Sequence, residues 1–149
     1  MHFDNSNFIL REANDSDSCF IEKVKLLTSP DVIPNSMLWD DDEHRDRVLG
    51  HSYAAVIIQI EGVDVGFFQL AYSKIENHLM QIRLLPEWQG KGIGSKLIAA
   101  LQALCAKSKT SISLHVYTDN RALRLYCGLG FEVVKSDGAA YLMRWKPST

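Results

Sequence analysis

The stretch Leu84-Leu85-Pro86-Glu87-Trp88-Gln89-Gly90-Lys91-Gly92-Ile93-Gly94-Ser95 constrains this chain more than any other. Before it runs an apolar, strand-like segment, His78 to Leu85, closed by Pro86. After it, Ile93, Leu97, Leu101 and Leu104 mark one apolar face of a helix ending near Ser108. Between them glycine recurs at alternate positions, with Lys91 among them. A bare backbone turn that opens a helix leaves the first N–H groups without intrahelical partners, at the positive end of the dipole. That is a ready site for an anion such as a phosphate. Ile112, Leu114 and Val116 then alternate with Ser113, His115 and Tyr117, as a half-buried strand does. The chain is therefore committed to a β-α-β unit, with a helix packed on a sheet.

The remaining segments extend that sheet. Phe8-Ile9-Leu10-Arg11 reads as a first strand. Asn14-Asp15-Ser16-Asp17 is rich in capping residues, and Phe20, Val24 and Leu27 follow at helical spacing. Residues Asp31 to Trp39 read as a loop, and Asp40-Asp41-Asp42-Glu43 opens a second helix that runs to about Leu49. Tyr53 to Ile60 and Val63 to Tyr72 form a hairpin about Glu61-Gly62, and Ile75-Glu76-Asn77 reads as a turn. Asp119 or Asn120 caps a short helix through Tyr126, which Gly130 ends. Phe131 to Lys135 and Tyr141 to Trp145 are strands about an Asp137-Gly138 turn. The order is β-α-α-β-β-β-α-β-α-β-β, a mixed sheet flanked by helices and a single domain over 1–149.

Composition narrows the function classes. A net charge of −2 and a pI near 6.2 lack the basic footprint of a nucleic-acid binder. No apolar run reaches the length of a membrane span, and the N-terminus does not read as a signal peptide. Cys19, Cys105 and Cys127 lack metal-ligand spacing and read as reduced thiols of a cytoplasmic protein. No metal site is expected.

Two phosphate motifs can be tested directly. A Walker loop needs Gly-Lys followed by Ser or Thr, but Gly92 follows Lys91. The dinucleotide fingerprint needs a third glycine where Ser95 stands. What remains is Gln89-x-x-Gly92-x-Gly94. With Leu84 five positions before Gln89, this resembles the acetyl-CoA signature of the GNAT superfamily of N-acetyltransferases. A second motif follows in the right order: Asn120-x-Ala122-x-x-Leu125-Tyr126-x-x-x-Gly130-Phe131. The resemblance covers roughly residues 8 to 146, the first 60 in pattern only.

The resemblance implies an α/β fold whose central, mostly antiparallel sheet is splayed at the fourth and fifth strands and flanked by about four helices. It implies acetyl transfer from acetyl-CoA to a primary amine of a small-molecule or peptide acceptor, by direct attack in a ternary complex. An acyl-CoA-binding sensor without turnover is the alternative. Backbone N–H groups of Gln89, Gly90, Lys91, Gly92, Ile93, Gly94 and Ser95 would bind the pyrophosphate, with Lys91 facing either phosphates or water. The pantetheine arm would pair with the backbone near Leu84, and an N–H of Leu84 or Leu85 would polarise the carbonyl. Asn120 either bonds the arm or only caps its helix. Tyr126 occupies the place of the family's general acid; a phenol of pKa near 10 is protonated at neutral pH. His78, six residues before Leu84, shares its strand face if no bulge intervenes, and reads either as general base or as a surface residue at the strand start. His115 is the next candidate for the base or for lining the cleft, and Glu76 a third. Trp39 beside Asp40 to Glu43 reads either as an aromatic wall with an acidic rim for a cationic amine or as a helix start. No nucleic acid or membrane partner is expected, and a homodimer is left open.

Overall fold

The structure is a computed structural model and describes residues 8–28, 52–136 and 138–148. Its strands are β1 Phe8–Glu12, β2 Ser52–Ile60, β3 Val63–Tyr72, β4 Glu76–Leu84, β5 Ser111–Tyr117, β6 Glu132–Ser136 and β7 Ala140–Trp145. Its α-helices are α1 Ser18–Leu27, α2 Ile93–Ser108 and α3 Ala122–Gly128. Short 3-10 turns cover Asp15–Asp17 and Pro86–Trp88. The expected helix from Asp40 and the loop before it, with Trp39, lie outside the described residues. So does Asp137.

The strands form one sheet in the order β1-β2-β3-β4-β5-β7-β6. Every neighbouring pair is antiparallel except β4 and β5. The β2–β3 hairpin closes with positive φ at both Glu61 and Gly62, the geometry that matches strand twist. Alternate residues divide the sheet into two faces. Ile58, Phe68, Leu114 and Met143 face α2, whose Ile93, Leu97, Ile98, Leu101 and Cys105 complete that core. Ile57, Phe67 and Leu85 face Val24, Phe20 and Ile21 of α1.

Three sequence expectations change. Leu104 is 57% exposed, because the buried stripe of α2 runs through Ile98 and Cys105 instead. Leu27 is likewise exposed, at the last position of α1. Glu76 and Asn77 belong to β4 and are buried, not in a turn. Their polar side chains are paired inside: Asn77 Nδ2 donates to Thr110 Oγ1 at 2.9 Å, and Arg144 Nε donates to Glu76 Oε1 at 2.8 Å. A paired polar group can be buried without the penalty that composition alone suggests.

The start of the domain is tied down by one bidentate pair. Arg11 Nη1 and Nη2 donate to the two oxygens of Asp17 at 2.9 and 2.8 Å, and the Asn14 N–H adds a third bond at 2.9 Å. These bonds, led by Arg11, hold the Asp17 carboxyl at about 2, below its ordinary 3.8. Stability from this carboxylate is therefore complete above the ordinary value and lost as pH falls through about 2. Asp17→Asn should melt below the unaltered protein at neutral pH, and the gap should close between about pH 4 and pH 2 in thermal melts.

Gly66 sets how closely β3 approaches β4. A Cβ there would sit 2.2 Å from the Arg83 carbonyl oxygen and 3.0 Å from Leu84 Cα. Backbone cannot yield as a side-chain tip does, so Gly66→Ala should cost about 1–3 kcal/mol in denaturant unfolding. Gly128→Ala, in α3 with nothing within 4 Å of the added carbon, should be neutral or stabilising in the same measurement.

Candidate active site

The site begins where strand pairing stops. β4 and β5 pair from Glu76↔Ser111 only to Leu79↔Leu114. Beyond that point they diverge around a cleft of about 380 Å³. Its walls include Met80 to Leu84 on one side, Leu114 to Val116 on the other, and Gln89, Gly94, Asn120, Leu125 and Tyr126 at its rim.

The register explains why β4 presents bare backbone to this cleft. Leu85 N–H donates to Val65 O at 2.8 Å, so Gly66 and Leu84 form a non-hydrogen-bonded antiparallel pair. The N–H and C=O of Leu84 therefore point away from β3, toward β5. The side-chain amide of Gln89 donates to Leu84 O at 3.0 Å. The same bond pattern corrects one expectation: the N–H of Leu85 is spent in the sheet, which leaves Leu84 as the donor facing the cleft.

The glycine turn opens on the same cleft. Gly90 and Gly92 have φ of 74° and 79°, which L side chains rarely adopt. Gly92 is the N-cap of α2, and no side chain caps that end. The first α2-type bond runs from Lys96 N–H to Gly92 O at 3.2 Å, so the amides of Ile93, Gly94 and Ser95 precede the helical ladder. A Cβ at Gly94 would meet nothing within 4 Å, so no packing within the chain calls for glycine there. Lys91 is exposed, and the side chain of Ile93 is buried in the α2 core. The Gln89 N–H donates to Pro86 O at 3.2 Å, so the set of open amides begins after it. An uncapped helix end with a bare turn suits phosphate oxygens, and the strand edge at Leu84 suits an amide-containing chain.

At the other rim, Asn120 Oδ1 accepts from the Ala122 N–H at 2.8 Å and so caps α3, while the residue also lines the cleft. The bond to Ala122 is the capping feature read from the sequence. Tyr126 lines the cleft from α3, its ring tilted against Phe131 at 5.8 Å. Gly130, at φ 94°, lets the chain turn back so that the Phe131 N–H bonds Tyr126 O at 3.0 Å.

The histidines fall differently from expectation. The β3–β4 register shifts between Gln69↔Gln81 and Leu70↔Leu79, which leaves Met80 as a bulge. The bulge reverses the alternation, so Leu79 shares the α2-side core with Ile82 and Leu84. His78 is on the opposite face from Leu84 and is 1% exposed. It does not line the cleft; His115 does. His78 Nδ1 lies 2.8 Å from Ser113 Oγ, and the two histidine rings meet edge to face at 4.9 Å. Glu76, the third base candidate, is engaged by Arg144 and Ser111 away from the cleft. Trp39 and Asp40 lie outside the described residues.

Residues that the sequence did not single out complete the α1-side wall. Arg83 Nε donates to Gln81 Oε1 at 2.7 Å and its Nη1 to Thr28 Oγ1 at 2.9 Å. Gln81 Nε2 in turn donates to Gln69 Oε1 at 2.9 Å. The alternation Gln81-Ile82-Arg83-Leu84 carried the signal for this polar face.

The sheet and cleft thus define an α/β protein that can hold an extended, anionic ligand between two strands. The chain matches the family model for the acetyltransferase (GNAT) domain over residues 51–133, and it belongs to that family. No curated protein is matched by the sequence. Among solved structures it is similar to the PaiA N-acetyltransferase of Thermoplasma acidophilum in complex with coenzyme A, at 17% identity and a TM-score of 0.69, over 93% of this chain and 98% of that one. The spermidine N-acetyltransferase of Vibrio cholerae gives 21% identity and a TM-score of 0.71, over 95% of each chain. The ribosomal-protein-S18-alanine N-acetyltransferase of Escherichia coli gives 18% and 0.70, also over 95% of each. At such identities the likeness is one of fold. Among the described residues no helix is long and apolar enough to cross a membrane.

Capping by Asn120 can be tested apart from ligand binding. Asn120→Ala should lose about 1 kcal/mol of stability, while Asn120→Asp should retain it, as denaturant melts would show. If the side-chain amide also holds a ligand, Asn120→Asp should weaken coenzyme A binding by calorimetry despite its intact cap.

Proposed function

We propose that this protein is an N-acetyltransferase that uses acetyl-CoA and acetylates a primary amine in a ternary complex. The observation that carries this reading is the meeting of two features on one cleft: the uncapped start of α2 and the outward-turned backbone of Leu84. Family membership supports it. So does the presence of coenzyme A in the Thermoplasma structure of similar fold.

When bound, acetyl-CoA supplies an activated acetyl thioester. The amides of Gly90 to Ser95 bind its phosphates, and glycine at 94 leaves room for them. The Leu84 N–H faces the gap and donates toward the oxygen on which negative charge develops; such donors supply on the order of 3 kcal/mol. His115, on the cleft wall, takes the first proton from the acceptor ammonium, directly or through water. Tyr126 gives its proton to the departing sulfur, and the second amine proton replaces it. The net result is one amide, one thiol and one proton released.

The acceptor is a small-molecule or peptide amine. The neighbours named above are specified by spermidine and by an alanine of a ribosomal protein, so likeness of fold does not choose between small and large acceptors. The acidic rim read from Trp39 and Asp40 would favour cationic amines. A cytoplasmic location suits an enzyme with exposed free thiols at Cys19 and Cys127.

Thiol release from acetyl-CoA across amines, polyamines, aminoglycosides and peptides tests the reading, and no turnover on any of them would favour a binding-only sensor. Tyr126→Phe should lower kcat by about 10²-fold with little change in KM for acetyl-CoA. Gly94→Val should do the reverse, raising that KM with kcat nearly unchanged.

A further inference from the structure

We infer that His78 and Ser113 form a buried shelf that fixes the ring of His115 at the cleft wall, which makes His78 a positioning residue that does not meet the acceptor. The inference rests on the reading of His115 as proton acceptor, and it assigns work to a histidine the cleft does not reach.

The geometry is set by the short parallel ladder. His78 and Ser113 are directly paired across β4 and β5. His115, two residues beyond Ser113, shares its strand face. Ser113 is fully buried and His78 is 1% exposed, and their Nδ1 and Oγ atoms lie 2.8 Å apart. A buried imidazole and a buried hydroxyl each need a partner, and here each supplies the other. The bond fixes the rotation of the His78 ring in either tautomer. Its ring then meets the His115 ring at 4.9 Å and 63°. On the other side of β5, Leu142 of β7 pairs with His115 and is fully buried. His115 is thus flanked on both neighbouring strands, and, half-buried, it lines the cleft.

A base held on one side only by strand backbone would sample several rotamers, and proton transfer needs one of them. Apolar residues could fill the same volume. What they would lack is the bond that stops the ring from turning.

The test replaces both shelf partners together, His78→Phe with Ser113→Ala, which removes both ends of their hydrogen bond. The fold should persist, as judged by melting and by acetyl-CoA binding. The expected result is a fall in kcat of about 10- to 100-fold, with KM for acetyl-CoA unchanged. In a His115→Ala background the same pair of changes should lower kcat no further, because the ring they position is gone. An equal loss in both backgrounds, or no loss in the first, would overturn the proposal. A second readout needs no turnover: the imidazole ¹⁵N signals of His115 should shift and broaden on Ser113→Ala alone. Unmoved signals would also overturn it. If the unaltered protein shows no transferase activity yet those signals move, the shelf stands and the acetyl-transfer reading falls.

Discussion

Everything in this structure depends on a ladder that stops. Six strand pairs make one sheet, and five of them run antiparallel along most of their length. The sixth, β4 with β5, is parallel and ends at Leu79 and Leu114. Past that point two strand edges face each other without bonding, and unpaired strand backbone is normally a liability. The Leu84 peptide is held in that open position from behind. Leu85 is bonded to Val65, and Gly66, which has no Cβ, lets β3 lie close behind the Leu84 peptide. An edge that stays open in a folded protein is a place for another molecule's amides.

The two ends of the cleft differ in chemistry because different local rules built them. At one end glycines at positive φ and an uncapped helix offer amides and a positive dipole, with no side chain in the way. At the other, the bulge at Met80 turns Gln81 and Arg83 to the α1 side, where Thr28 receives the guanidinium. The bulge therefore does two things at once. It re-aims the polar residues of β4 toward the cleft wall, and it removes His78 from the face that holds Leu84. One extra residue in a strand decides which histidine can touch an acceptor.

Much of this was legible in the sequence. The strand, turn and helix from His78 to Ser108 are written in apolar spacing and glycine placement, and the short helix that Gly130 ends is written in cap and turn chemistry. Alternation in Ser111 to Tyr117 set His115 on the face opposite Ile112, Leu114 and Val116, although Ser113 on that same face is fully buried as well. The misreadings share a cause. A bulge leaves no trace in periodicity, so His78 and Leu84 looked like same-face neighbours. Polar residues at Glu76 and Asn77 looked like a turn because their partners, Arg144 and Thr110, are far away in sequence. Long-range pairing is what a single sequence conveys least.

That second misreading points to why the polar residues are there. The four-residue ladder of β4 with β5 must hold against whatever enters beyond it, and parallel pairs are slightly weaker per residue than antiparallel ones. Three successive β4 residues add side-chain bonds across this seam. Glu76 Oε1 accepts from Ser111 Oγ at 3.1 Å, Asn77 Nδ2 donates to Ser111 O at 3.2 Å, and His78 bonds Ser113. They do so on alternating faces, so the seam is stitched from both sides. An apolar core would close the same gap but would leave the strands free to slide, whereas paired buried dipoles fix one register. The closed end of the cleft is polar inside because the open end has to stay apart at a defined place.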